Sequence, residues 1–142
     1  MRIADVLRGK GGAVVTINPD ATVTELLAGL AEHNIGAMVV VGPDGVKGIV
    51  SERDVVIALA DVGANLLSRS VSEIMTAKVV TCEPSDSVAE LMAEMTTRRI
   101  RHFPVVQDGR LCGIVSIGDV VKNRLDEVEF EARSMRSFIA GA

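Results

Sequence analysis

The pattern of apolar and polar residues along the chain occurs twice in the same order. Each copy starts with a short apolar stretch, at 14–17 and at 79–82, that ends before a proline. A hydroxyl residue then lies three positions before a glutamate, which is the pattern of a helix-starting capping box. Apolar residues follow with helical spacing, namely Val23, Leu26, Leu27 and Leu30 in the first copy and Val88, Leu91, Met92 and Met95 in the second. Each copy therefore predicts a short strand followed by an amphipathic helix.

The second half of each copy predicts two strands and a further helix. Residues 38–41 and 103–106 are apolar runs rich in β-branched side chains, which is typical of buried strands. Asp-Gly pairs then predict tight turns into strands at 47–50 and 111–115. The last helix of each copy begins at a Ser-x-x-Asp sequence. Each unit is thus predicted as β-α-β-β-α, with its helices on one side of a small sheet.

The repetition extends to individual residues. The segment Gly-Ile-Val-Ser-Glu-Arg-Asp at 48–54 recurs as Gly-Ile-Val-Ser-Ile-Gly-Asp at 113–119, an offset of 65 residues. The same offset joins Thr16 to Thr81, Pro19 to Pro84, Val23 to Val88, Glu25 to Glu90 and Ile35 to Ile100. Since one unit of about 60 residues is marginal alone, we expect an α/β (α+β) fold in which two units pack sheet to sheet with pseudo-twofold symmetry.

The duplication divides the chain into four segments. These are repeat 1 (1–61), a linker (62–70), repeat 2 (71–125) and a tail (126–142). In the tail, Val128, Ala132, Met135 and Ile139 recur every three or four positions, which is typical of an amphipathic C-terminal helix. Such a helix fits packing on its own repeats, a contact between two copies, or a dock for an effector protein.

Composition narrows the partners that we expect. The chain has 142 residues, of which 48% are apolar and 24% charged, and this indicates a folded globule. A net charge of −4 and the lack of Trp and Tyr argue against nucleic-acid binding. No apolar run is long enough to cross a bilayer, and the first residues do not have the pattern of a signal peptide. With two cysteines, Cys82 and Cys112, we expect reduced thiols and a cytoplasmic location.

Residues suited to catalysis are sparse. Neither His33 nor His102 has acids or cysteines at a spacing typical of a metal site. The sequence contains no nucleophile with a matching base and no Gly-rich phosphate loop followed by lysine. We therefore expect a protein that is not an enzyme and that requires neither a metal nor a cofactor.

These features resemble a known family. The two Gly-Ile-Val-Ser-x-x-Asp segments, each after a strand-turn-strand, are similar to the repeats of cystathionine-β-synthase (CBS) domains, as is Arg-His-Phe-Pro-Val-Val at 101–106. The resemblance covers residues 3–125. It implies a pseudo-twofold pair of repeats, often dimerised, that binds an adenosine-containing ligand as a regulatory module.

The Ser-x-x-Asp segments allow two interpretations. As capping boxes, Ser51 with Asp54 and Ser116 with Asp119 only start their helices. As binding groups, the same helix N-termini offer free N–H groups and a partial positive charge to a phosphate. The aspartate can also accept hydrogen bonds from both hydroxyls of a ribose. The resemblance favours binding.

The resemblance also implies two unequal clefts, each between the Ser-x-x-Asp of one unit and the strand starts of the other. We rank first the cleft where Ser116 and Asp119 hold sugar and phosphate. There Arg101 and His102 would neutralise charge. The base would lie against Thr16, Ile17, Ile35, Gly36, Ala37 and Met38. The second, weaker site comprises Ser51, Arg53, Asp54, Thr81, Ile100 and Phe103. Neighbouring Arg98 and Arg99 are expected only as a solvated helix end.

AMP is the leading ligand, and ADP, ATP, NAD(H) and S-adenosylmethionine are alternatives because all contain the adenosyl group. A ligand that bridges the units would shift their relative orientation, and the output would pass through a separate, unknown effector protein. We also expect a homodimer. A function of a different class fits as well, namely a dimerisation or protein-interaction module that keeps the fold and binds no ligand.

Overall fold

The computed structural model describes residues 1–141, and residue 142 of the predicted tail lies outside the described residues. The helices are α1 (Ile3–Lys10), α2 (Val23–His33), α3 (Glu52–Val62), α4 (Val88–Arg98) and α5 (Ile117–Gly141). The strands are β1 (Thr16–Ile17), β2 (Ala37–Gly42), β3 (Gly45–Ser51), β4 (His102–Gln107) and β5 (Arg110–Ser116). Short 3-10 helices occupy Gly63–Ser68 and Val71–Glu73. The mixed α/β class and the C-terminal helix are confirmed.

The strands form two small sheets, one for each repeat. In the first, β1 is parallel to β2 and β2 is antiparallel to β3. In the second, β4 and β5 are antiparallel, with the same bulge position as in β2 and β3. The apolar stretch at 79–82, which the sequence predicts as a strand, contributes a single bridge between Cys82 and Val105. The second sheet is therefore two-stranded.

Capping residues start the first helix of each repeat as predicted, although the two copies differ. Thr22 Oγ1 accepts from the Glu25 N–H, and Glu25 accepts from the Thr22 N–H, so this box is complete. Ser87 Oγ accepts from the Glu90 N–H at 3.3 Å. Only the first copy forms the reciprocal bond to the carboxylate. Each helix nevertheless begins where its hydroxyl residue lies.

Each repeat has its own apolar core between its sheet and its helices. In repeat 1, Met38 and Val40 of β2 pack with Leu26 and Leu30 of α2. Alternate residues of a strand point to opposite faces, so the buried Val39 lies on the other face, away from these helices. The His102 ring at the start of β4 lies 3.6 Å from the position that a Cβ of Gly36 would take. The start of β4 therefore adjoins the residue before β2, across the interface between the repeats.

The N-terminal segment of each repeat packs against the other repeat. Helix α1 packs its buried Ile3 and Val6 into the core of repeat 2. There the Ile3 N–H donates to the backbone oxygen of Asp86 at 2.9 Å. In the matching contact, the Val71 N–H donates to the Ala21 oxygen of repeat 1 at 2.8 Å. The sequence analysis did not predict α1. These contacts tie the repeats together at both ends of the interface.

The linker is more ordered than predicted from the sequence, and the predicted tail helix extends the helix before it. Leu66, within the segment assigned as linker, is fully buried in the core of repeat 1. The predicted tail helix is continuous with the last helix of repeat 2, and together they form the 25 residues of α5. No helix among residues 1–141 has an apolar stretch sufficient for a membrane span.

Substitution of Gly48 by alanine is expected to destabilise the protein by about 1–3 kcal/mol, which is the cost of overpacking. The new Cβ would lie 2.8 Å from the Thr76 backbone oxygen. That backbone cannot withdraw freely, because the Thr76 oxygen accepts from the Ile49 N–H at 3.0 Å. Urea denaturation should show a lower midpoint with an unchanged slope. Gly9→Ala is the control, since Gly9 has open space at its Cβ position and lies within α1. Equal midpoints for Gly48→Ala and the wild type would contradict this contact.

Candidate functional site

The two Ser-x-x-Asp segments form nearly identical capping boxes at the starts of α3 and α5. The Ser51 N–H donates to Asp54 Oδ2 at 2.8 Å, and the Ser116 N–H donates to Asp119 Oδ2 at 2.9 Å. In each box the serine Oγ accepts from the aspartate N–H. Within the described residues, Oδ1 of neither aspartate has a hydrogen-bond partner. Both predicted boxes therefore exist, and in each of them one carboxylate oxygen makes no hydrogen bond to any of residues 1–141.

A cavity of about 310 Å³ lies between the repeats, beside Ser51 and Asp54. This volume is at the lower end of the range typical of small-molecule sites, about 300–1,000 Å³. The lining residues from repeat 1 are Gly36, Ala37, Ile49, Ser51, Glu52, Arg53 and Asp54. The opposite wall consists of Thr76, Lys78, Val80, Arg99, Ile100, Arg101 and His102. The cavity thus combines a helix N-terminus from one repeat with a strand start from the other.

The residues that were assigned from the sequence to the Ser116 cleft do not lie together in the structure. Four of them line the cavity beside Asp54 instead, namely Gly36, Ala37, Arg101 and His102. Met38 is buried in the core of repeat 1 with Ile17 and Ile35 packed against that core, and Thr16 is exposed on β1. Ser116 and Asp119 lie together at the start of α5.

The residues assigned to the second site are mostly brought together. Ser51, Arg53, Asp54 and Ile100 line the same cavity. Phe103 is 1% exposed in the core of repeat 2, and it adjoins Thr81 in a separate surface depression beside α4. The cavity therefore lies beside Ser51 and Asp54, the Ser-x-x-Asp segment that was ranked second from the sequence. Which cleft binds a ligand stays a prediction.

The first-ranked cleft contains a side chain that the sequence analysis overlooked. Lys10, at the end of α1, donates from Nζ to Asp119 Oδ2 at 2.6 Å and to the Ile114 oxygen at 2.8 Å. Partial burial alone would raise the pKa of Asp119, but hydrogen bonds from Lys10 and Ser116 and the charge of Lys10 together lower it. Asp119 is therefore held as a carboxylate already paired with a cation.

The charge around the Asp54 cavity is predominantly basic. Four basic side chains line it, namely Arg53, Lys78, Arg99 and Arg101, against the two acids Glu52 and Asp54. Arg99 was expected to be only a solvated helix end. It ends α4 in the left-handed conformation at φ 56°, which turns the chain into the cavity wall. No local pattern in the sequence marks Lys78 or Arg99, because only packing of the repeats brings them to Asp54.

His102 contributes a ring to the cavity rather than a charge. Burial, together with the nearby cations Lys10 and Arg101, lowers the pKa of His102, against the opposing effect of Asp119 and Glu52. The imidazole is therefore neutral at neutral pH. The cationic role that the sequence analysis assigned to Arg101 and His102 as a pair rests on Arg101.

Two features of the described residues concern reactivity, namely the state of the Cys82 thiol and the grouping of potential metal ligands. Burial, with Asp86 and Cys112 nearby, raises the pKa of Cys82 to about 12, so its thiol stays protonated and is a poor nucleophile. Across residues 1–141, no three His, Cys, Asp or Glu side chains form a group that could hold a metal ion. The cavity groups are suited to holding a polar ligand.

Comparison with known proteins identifies the family. The model of the CBS domain matches residues 11–61 and 71–126, so the chain belongs to the CBS-domain family. The mitochondrial CBS domain-containing protein CBSX3 of Arabidopsis thaliana is 36% identical, over 98% of this chain and 72% of that protein. The CBS-domain containing protein ATU1752 from Agrobacterium tumefaciens has a crystal structure with 47% identity and a TM-score of 0.85, covering 87% of this chain and 99% of the other.

Two further solved structures contain adenosyl ligands. The CBS domain protein PAE2072 from Pyrobaculum aerophilum, complexed with AMP, is 28% identical with a TM-score of 0.74, over 84% of this chain and 89% of that one. The CBS domain pair of protein MJ0100, in complex with 5′-methylthioadenosine and S-adenosyl-L-methionine, is 26% identical with a TM-score of 0.79, over 89% of this chain and 98% of the other. The bound ligands differ between these two proteins.

Proposed function

We propose that this chain is a regulatory module that binds one adenine nucleotide, AMP foremost, in the cavity beside Asp54. The observation that carries the proposal is the composition of that cavity. Its lining combines a carboxylate with an unpartnered Oδ1 and four basic side chains, in a volume of about 310 Å³. The AMP complex of PAE2072 supports the same class of ligand.

Each part of the nucleotide has a chemical counterpart in the cavity. Asp54 would accept hydrogen bonds from the ribose hydroxyls, as carboxylates accept two donors readily. Lys78, Arg53 and Arg101 would neutralise the phosphate, together with the N–H groups at the start of α3. Ile100 and the small residues that precede and begin β2 leave an apolar slot for the adenine. ADP, ATP, NAD(H) and S-adenosylmethionine share the adenosyl part and stay as alternatives.

A ligand in this cavity would act by joining the repeats. Its walls come from both units, so the ligand stabilises whichever relative orientation it binds more tightly, and by no more than that difference in affinity. An effector protein would receive the signal. We expect a cytoplasmic homodimer, although the related CBSX3 protein is mitochondrial.

An interaction module is the second candidate function. It is favoured by large apolar side chains exposed on two helices, among them Val56 and Ile57 on α3 and Leu125 on α5. Exposed apolar patches mark protein-protein contacts. This function and nucleotide binding use different surfaces, so both can hold in one protein.

Calorimetric titration with AMP, ADP, ATP, NAD⁺, NADH and S-adenosylmethionine tests the proposal. Saturable binding of one compound, at one site per chain, is the expected result. If no compound binds while the protein is folded, as judged by a cooperative thermal transition, the proposal fails and the interaction module becomes the leading function.

A further inference from the structure

Helix α5 carries a continuous apolar stripe that no other part of the described chain covers. The stripe residues recur at alternating intervals of four and three, namely Val121, Leu125, Val128, Ala132, Met135 and Ile139. All but the half-buried Ala132 are exposed. An alternation of this kind is the heptad pattern of a coiled coil, with Leu125, Ala132 and Ile139 at the a positions and the others at d.

The stripe lies on a different face from the one that holds α5 to its own repeats. Val120 is fully buried, and Asn123 and Glu127 are half-buried beneath the N-terminal segment, with Glu127 3.8 Å from the Met1 amino group. At about 100° per residue, the centre of the stripe is about a third of a turn away from these residues. Folding of one chain therefore leaves the stripe open, and the helix needs no partner to form because its first turns are already anchored.

Charges beside the stripe indicate what covers it. We propose that α5 pairs with α5 of a second copy of this chain as a parallel, in-register coiled coil over residues 121–139. In a parallel pair, each g position faces the following e position of the other helix. Arg124 of one copy then faces Glu129 of the second copy, and Glu131 faces Arg136. Both contacts join opposite charges.

The antiparallel arrangement is disfavoured by the same residues. In an antiparallel pair, Ile139 of one helix packs against Val121 of the other. Each e position then lies beside an e position of the second copy, and each g position lies beside a g position. Glu129 would then face Glu129 of the second copy, and Glu131 would face Glu131. Lys122 would face Arg136. Since like charges at these positions oppose pairing, the sequence of α5 specifies one orientation.

A disulfide-trapping experiment on the full chain tests this pairing directly. In the parallel pair, residue 139 meets its counterpart, so Ile139→Cys is expected to form a disulfide-linked dimer under mild oxidation. Phe130→Cys is the matched control, because Phe130 is as exposed as its stripe neighbours (65%, against 61% for Met135) but lies at an outer f position. No linked dimer is expected from Phe130→Cys or from the wild type with its own two cysteines.

Three outcomes would overturn the proposal. The first is no linkage by Ile139→Cys. The second is linkage only when Val121→Cys is combined with Ile139→Cys, since an antiparallel pair joins these two positions and the parallel pair separates them by about 27 Å along the helix. The third is linkage that persists after Met135→Glu, which should abolish it. The charge contacts predict further that Glu131→Arg and Arg136→Glu each weaken dimerisation in sedimentation equilibrium, and that the double exchange restores it.

Discussion

Substitution of Asp54 by alanine is expected to weaken nucleotide binding by about 100-fold or more. Two hydrogen bonds from ribose hydroxyls to a carboxylate are lost, each of them worth about 1.5–3 kcal/mol because the acceptor is charged. Each 1.4 kcal/mol corresponds to a tenfold change in the dissociation constant. The measurement is calorimetric titration with the compound that the wild type binds.

The duplicated sequence offers a matched control for this experiment. Asp119→Ala removes the same carboxylate from an equivalent capping box, and it also removes the ion pair with Lys10. Asp119→Ala should leave the affinity of the Asp54 cavity nearly unchanged. If Asp119→Ala instead abolishes binding and Asp54→Ala does not, the ligand occupies the cleft that the sequence analysis ranks first.

Substitution of Lys10 by methionine is expected to raise the number of bound nucleotides from one to two per chain. In the wild type, the Lys10 ammonium donates to Asp119 Oδ2 at 2.6 Å and neutralises the charge of this carboxylate. A ribose must displace that ion pair before it can bind. Methionine keeps most of the apolar stem but has no charge, so Asp119 becomes available and its pKa returns towards its usual value.

Lys78, a lysine that lies beside the other Ser-x-x-Asp segment, is the control. Lys78 directly precedes Val-Val-Thr at 79–81, whereas three residues separate Lys10 from Val-Val-Thr at 14–16. Lys78 lines the Asp54 cavity and makes no ion pair with any of residues 1–141. Lys78→Met should weaken binding at the existing site and create none. One site in Lys10→Met, or two in the wild type, would show that the Lys10 contact does not close the cleft.

Much of the fold could be predicted because its signals are local. The strands at 38–41 and 103–106 follow from β-branched runs, and Ser51 and Thr22 start helices through hydrogen bonds three residues along the chain. By contrast, α1 has only eight residues, of which Ile3, Ala4, Val6 and Leu7 are apolar. Their buried side chains, Ile3 and Val6, pack on repeat 2, far along the sequence. No short-range pattern could indicate that contact.

The candidate site divides in the same way. Ser51 and Asp54 could be proposed from the sequence because their segment repeats and because a helix start has a recognisable form, whereas Arg101 was proposed through the resemblance to the family. Lys78, Arg99 and the neutral state of His102 were not, since each depends on groups that lie near one another only after the two repeats have packed.

The sequence by itself determined the duplication, the order of strands and helices, and the placing of a carboxylate at the start of each second helix. Periodicity and capping act between residues a few positions apart, and a linear pattern records them fully. Only the tertiary structure decided which of the two equivalent carboxylates faces a cavity and which is paired with Lys10. That difference arises from the packing of α1 on repeat 2. Electrostatic contacts depend on distance in space, and Lys10 and Asp119 are brought together across more than a hundred residues of chain.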